Sequence, residues 1–149
     1  MPQASRTVEV NVLPAQLMQV ISDYERYPQF LPEVKKITVS ERTANSALLT
    51  YEIEVIKRIH YAVRVTTDAL VARWSLVRGE LFKKNEGAWV LEPLEGGRTK
   101  ATYSLELAFG GFIPVPRAIT DRLAAQSLPA LLEHFKARAE SLFPRMPAP

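Results

Sequence analysis

The chain of 149 residues contains no cysteine. Disulfides, thiolate metal sites, redox pairs and cysteine nucleophiles are therefore excluded. Histidine is almost as scarce: His60 and His134 are the only two, and neither has a partner at metal-ligand spacing, so neither a structural metal nor a metal cofactor is expected. There is no Gly-rich phosphate loop followed by Lys-Ser/Thr, no Gly-x-Ser-x-Gly elbow and no paired-histidine zinc motif, which removes the common signatures of nucleotide, esterase and metalloprotease chemistry. Charges interrupt every hydrophobic stretch well before the ~18 apolar residues of a membrane span. The first residues, Met1-Pro2-Gln3-Ala4-Ser5-Arg6, lack the apolar core of a signal peptide, so a cytoplasmic location is expected.

What is present fits one globular domain. The length falls within the ~100–200 residues of a single domain, and residues 1–149 are read as one, with an ordered core over about 5–143 and a Pro-rich tail at 144–149. The hydrophobic share of 47% and charged share of 23% disfavour disorder, collagen and coiled coil. The net charge of +3 is modest, and the positives are scattered among nearly as many negatives. Lys35-Lys36, Lys57-Arg58 and Lys83-Lys84 are short pairs that solvate turns and strand ends. No basic stripe or reading motif accompanies them, so nucleic acid is not the expected partner.

Residues 6–12 alternate, with Val8, Val10 and Val12 on one face and Thr7, Glu9 and Asn11 on the other, as in a half-buried strand. Pro14 suits the first position of a helix, where its missing N–H costs nothing. Leu17, Val20, Ile21 and Tyr24 then recur at helical spacing. Pro28 and Pro32 restrict Tyr27 and Leu31, so regular helix is expected to stop near Tyr27, with a short turn or second helical fragment after it. Beyond Pro32 the period becomes two. Ile37 and Val39 mark one strand, Leu49, Tyr51, Ile53 and Val55 a second, and Ile59, Tyr61, Val63 and Val65 a third. Residues 71–78 form a fourth strand with apolar residues on both faces; Trp89 and Leu91 mark a fifth, and Tyr103, Leu105 and Leu107 a sixth. The breaks between them carry turn chemistry: Ala44-Asn45-Ser46, Lys57-Arg58, Asp68-Ala69, Gly79, Asn85-Glu86-Gly87 and Gly96-Gly97. Such short connections join antiparallel neighbours.

Gly110-Gly111-Phe112-Ile113-Pro114-Val115-Pro116 ends the sheet, and a helical period then runs to about Phe143. Pro129 inside it predicts a kink or break. An antiparallel sheet with one apolar face needs a cover, and the last helix is the only element long enough. The space between the two is either packed core or a ligand cavity. The alternation aims Tyr51, Tyr61, Tyr103, Trp74 and Trp89 at that space, among Ile53, Val63, Leu105 and other aliphatics, and places Glu9, Glu52, Glu54 and Glu106 on the opposite face. The three tyrosines would bond one another, water or a ligand carbonyl, or else stand as amphipathic core residues with their tips near solvent. Arg78 shares the parity of Trp74 but adjoins Gly79 and is expected to be exposed.

The element order, together with Asp23 and the run Tyr27-Pro28-Gln29-Phe30-Leu31-Pro32, resembles the START-like helix-grip superfamily, also called SRPBCC. More narrowly, the sequence is similar to its polyketide cyclase/dehydrase and coenzyme-Q-binding branch. The Trp89 strand, the Gly-Gly turn before Arg98-Thr99 and the closing Lys136-Ala137-Arg138-Ala139-Glu140 also look familial. The resemblance implies an α+β fold: a curved antiparallel sheet of about seven strands around a long C-terminal helix, with one or two short helices after the first strand. It further implies a hydrophobic cavity between sheet and helix for a lipid, an isoprenoid quinone or a polyketide.

On that reading the ligand-facing set is Tyr51, Ile53, Tyr61, Val63, Trp74, Trp89, Tyr103 and Leu105, joined by Phe112, Leu123 and Ser127. Phe112 sits on a Gly/Pro loop and is read either as a lid, resting on ligand, helix or a membrane surface during transfer, or as a rigid corner. Ser127, four residues after Leu123, either faces the cavity or caps a segment beginning at Pro129. The expected function is a binding or carrier protein for a hydrophobic small molecule, with no catalytic residue and no cofactor. The alternatives are a polyketide aromatase/cyclase or dehydrase, and a ribosome-associating, toxin-like interaction protein of the same fold.

Overall fold

The alternating strands predicted above pair in sequence order except at one place, and that exception creates the site. A computed structural model describes residues 3–54, 58–80, 82–109 and 128–144. Seven strands are present: β1 (Gln3–Val10), β2 (Val34–Ser40), β3 (Ser46–Glu54), β4 (Arg58–Thr67), β5 (Val71–Gly79), β6 (Phe82–Leu94) and β7 (Arg98–Phe109). They form one sheet in the order β1-β7-β6-β5-β4-β3-β2, and every pairing is antiparallel. β1 and β2 lie at opposite edges although they are consecutive in sequence, so the chain between them must cross one end of the curved sheet. It does so as α1 (Pro14–Ser22), a 3-10 turn (Tyr24–Arg26) and α2 (Tyr27–Phe30). The last described helix, α3 (Leu128–Leu142), covers the concave face.

Local chemistry explains the corners. Pro14 opens α1, and the Leu13 N–H donates to Gln16 Oε1 at 2.9 Å. The N–H groups of Leu70 and Val71 both donate to Asp68 Oδ1, at 2.9 and 2.8 Å, in the β4–β5 turn. Gly96 and Gly97 have φ of +78° and +72°, which only glycine adopts without strain, and they close the β6–β7 hairpin. Thr99 is fully buried and its hydroxyl donates to the Val12 carbonyl at 2.8 Å, tying β7 to the chain leaving β1. α3 is fastened to the first edge from both sides: Lys136 Nζ donates to the Glu9 carbonyl at 2.7 Å, and the Asn11 N–H donates to Glu140 Oε2 at 2.9 Å.

Three sequence expectations are corrected. Helix stops at Ser22, not near Tyr27. Tyr27 then takes helical angles, φ −52° and ψ −42°, although it precedes a proline. Its ring is buried and its hydroxyl donates to the Ile21 carbonyl, so tertiary packing outweighs the local preference. Asn85-Glu86-Gly87 is not a turn but lies inside the 13-residue strand β6, where Asn85 is buried and Gly87 lies under the Trp74 ring. Finally, Arg78 is exposed as expected, but the parity it was read to share with Trp74 does not extend to it. A bulge shifts the β4–β5 register so that Val63 pairs with Leu76 but Ala62 pairs with Arg78, which returns Arg78 to the outer face, where it is exposed. The corner at Gly110–Pro116, Phe112, Leu123 and Ser127 lie outside the described residues.

The outer face holds the charges. Glu52 Oε1 lies 2.8 Å from His60 Nε2, and Glu80 Oε2 lies 3.2 Å from His60 Nδ1, so the imidazole bridges two carboxylates. The bond to Glu52, then that to Glu80, raises the His60 pKa above the ~6.5 of a free imidazole. A raised folded pKa means that the stabilisation is complete below the unfolded value and fades as pH rises through the folded one. The stability advantage of the native chain over His60→Ala should therefore shrink on going from about pH 6 to about pH 8. An NMR titration of His60 with a midpoint at or below ~6.5 would overturn this.

Candidate ligand cavity

Period-two strands carry one face inward, and the cross-strand register decides which inward side chains meet. Tyr51 stands directly opposite Tyr61, and their rings stack with centroids 5.0 Å apart. Trp89 stands opposite Tyr103, edge to face at 4.9 Å, and Trp74 reaches Tyr103 at 5.2 Å. Aliphatic side chains of β3, β4 and β7 fill the intervals. At one end Tyr24, Tyr27 and Leu31 close the sheet, and above it α3 supplies Leu128, Leu131 and Phe135. These walls do not meet in the middle: they border a partly open cavity of about 190 Å³.

Every described member of the predicted ligand-facing set lines this cavity: Tyr51, Ile53, Tyr61, Val63, Trp74, Trp89, Tyr103 and Leu105. The Tyr27–Pro32 run closes one end of the cavity with Tyr27 and Leu31. Tyr27 meets Tyr24, Phe30 and Phe135 edge to face at 5.9, 5.9 and 5.5 Å, and of Phe30 and Leu31 it is Leu31 that borders the cavity.

Among the lining residues outside the predicted set, Asn85 and Glu33 add chemistry that was not foreseen. Asn85 accepts a hydrogen bond from Trp74 Nε1 at 3.3 Å. The signal for it was the parity Asn85, Gly87, Trp89, Leu91, hidden by the turn-like composition of Asn85-Glu86-Gly87. Glu33, exposed in the turn just before β2, lies at the rim. No periodicity could place it, because it belongs to the connection between α2 and the sheet.

The electrostatics are those of a dry site. Burial, then the neighbouring tyrosines, pushes the Tyr51 phenol well up. Tyr61 is raised by burial and then by the Glu33 charge, partly offset by its hydrogen bond with Asn85. Tyr103 is raised by burial, then by Tyr61 and Glu33. All three remain neutral phenols throughout the physiological range, able to donate a proton in a hydrogen bond but not to act as bases. Among the described residues neither Tyr51 nor Tyr103 has a hydrogen-bond partner for its hydroxyl, and no buried side-chain polar atom is left unpaired. Those two hydroxyls are therefore not sealed in packed wall, and both residues line the cavity.

A curved antiparallel sheet closed by a C-terminal helix over such a space is the helix-grip, START-like architecture. A family profile described as polyketide cyclase / dehydrase and lipid transport matches residues 10–136, and the chain belongs to that family. The ribosome association toxin RatA of Escherichia coli (strain K12) is 30% identical over 112 residues, covering 73% of this chain and 70% of that one. A START superfamily protein from Mycobacterium smegmatis superposes with a TM-score of 0.81 at 25% identity, covering 94% of this chain and 98% of the other. The ZhuI aromatase/cyclase from Streptomyces sp. R1128 superposes with a TM-score of 0.84 at 16% identity, over 95% and 94% of the two chains. That last likeness concerns the fold alone. Among the described residues no helix is long and apolar enough to cross a membrane.

Proposed function

We propose that this protein binds and carries a hydrophobic small molecule, of the lipid, isoprenoid quinone or polyketide kind, between the sheet and α3. The observation that carries the reading is the unfilled space itself. A domain interior normally packs to crystal-like density, whereas here about 190 Å³ stays open behind an apolar wall with a few convergent hydroxyls, the usual composition of a small-molecule site. Apolar contact supplies the affinity, at ~25 cal/mol per Å² buried. The enzymatic alternative lacks support from the described walls, whose ionisable groups are neutral tyrosines and the rim carboxylate Glu33.

Trp74 and Trp89 line the cavity, so their emission reports occupancy directly. Titration with the neutral dye Nile red should quench both and saturate at one equivalent, and native mass spectrometry of protein purified from its source should reveal a co-purifying apolar molecule. Nile red failing to saturate would sink the reading.

The similarity to a ribosome association toxin supplies a second reading, tested by co-sedimentation with ribosomes. On the outer face Arg58, Arg64 and Lys84 are each within 3.3 Å of a carboxylate, whereas Arg73 and Arg78 are exposed and are the cations such a contact would use.

A further inference from the structure

The cavity has a polar pole, and its chemistry narrows what can bind. Trp74 Nε1 has only a proton to give, so the Asn85 atom it meets at 3.3 Å is the amide oxygen. This fixes the amide orientation and leaves the NH₂, which can only donate, as the edge available to the Tyr61 hydroxyl. An acceptor role for Tyr61 there leaves its own proton for a ligand. Tyr51, stacked on Tyr61, and Tyr103, against Trp74, each hold another phenolic proton with no acceptor among the described residues. The pole is thus three donors between aromatic faces. No lysine, arginine or histidine stands among the described lining residues, and the one full charge there is the carboxylate of Glu33 at the rim.

From this arrangement we propose that the site selects an uncharged ligand bearing an acceptor oxygen, a ketone or similar carbonyl next to an aromatic or planar body, and rejects the corresponding carboxylate. The inference rests on the binding reading above and adds to it the charge and functional group of the ligand. A carbonyl takes the phenolic protons without bringing a charge out of water. A carboxylate must be desolvated with no cation among the described lining residues to meet it, and must also pass Glu33. Asn85 acts as a positioning residue here: it holds the Trp74 indole and the orientation of the Tyr61 proton.

The test uses the full chain and two probes of nearly equal shape, 2-acetonaphthone and 2-naphthoate, at about pH 8, where the acid is ionised. Each displaces Nile red, and tryptophan emission follows the exchange. The ketone should bind at least tenfold more tightly. Glu33→Gln should tighten naphthoate severalfold while leaving the ketone within twofold. Tyr61→Phe and Tyr103→Phe should each weaken the ketone severalfold while leaving its oxygen-free isostere 2-isopropenylnaphthalene within twofold; Nile red, which carries a carbonyl of its own, should weaken along with the ketone. Asn85→Asp, which keeps the shape and the Trp74 acceptor but loses the NH₂ and adds charge, should weaken the ketone by a similar factor and shift the tryptophan emission. Equal affinity of the two probes, tighter naphthoate, or failure of both to displace bound Nile red would overturn the selectivity while leaving the binding reading standing. Failure of Nile red itself would overturn both.

Discussion

Replacing Gly87 by alanine is expected to destabilise the protein by about 3 kcal/mol or more, at or beyond the top of the range for overpacked cores. Gly87 pairs with Trp74 on one side and Leu105 on the other, on the inward parity of β6. A Cβ there would lie 2.2 Å from the Ser104 carbonyl oxygen and 2.6 Å from Trp74 Cζ2. An indole can tilt, but a backbone oxygen in the centre of a ladder moves only if the strand moves. For a chain of this size the loss corresponds to a fall in Tm of roughly 6–12 °C, read by thermal or urea denaturation. Adding Trp74→Leu to Gly87→Ala should recover only the part due to the ring. A single variant within about 0.5 kcal/mol of the native chain, the level of an ordinary surface change, would show that β6 does not run as described.

Strands β3, β4 and β7 follow their alternation, whereas β6 departs from its composition. Alternation placed Tyr51, Tyr61 and Tyr103 on one face because a slip of one residue would have buried Glu52, Glu54 and Arg64, and the structure keeps all three of those charges off the cavity. It failed at Asn85-Glu86-Gly87 because composition and parity pointed in opposite directions. Asn and Gly signal a turn when nothing packs on them, but here a distant tryptophan requires both a bare backbone and an acceptor. Tyr27 is a similar case, its backbone set by a hydroxyl contact to Ile21 rather than by Pro28. The bulge before Arg78 left no trace, since Leu76-Val77-Arg78 reads equally well in either register. Glu33 escaped because a rim residue is defined by where the connection lands. The unfilled volume was equally illegible: a face of Val, Ile, Leu and Tyr reads the same over a packed core as over a cavity.

The second large effect is expected at Phe135. This ring is buried at 3% exposure and is the point where α3 meets three other aromatics, Tyr27 at 5.5 Å, Phe30 at 5.1 Å and Trp89 at 5.1 Å, all close to edge-to-face. Such pairs contribute about 0.5–1.5 kcal/mol each beyond the area they bury. Phe135→Ala should therefore cost about 3–5 kcal/mol. Phe135→Leu keeps most of the bulk but loses the ring edges, and should cost about 1–2 kcal/mol. The two variants also separate stability from binding, because Phe135 is at once a strut between helix and sheet and a wall of the cavity. Alanine enlarges the space by most of a ring, so the weakened domain should still bind Nile red and should regain part of its Tm when saturated with it, as linkage requires of any ligand that binds only the folded state. If Phe135 were merely core, with no cavity beneath it, the alanine variant would lose the same stability, but saturating dye would leave its Tm unchanged.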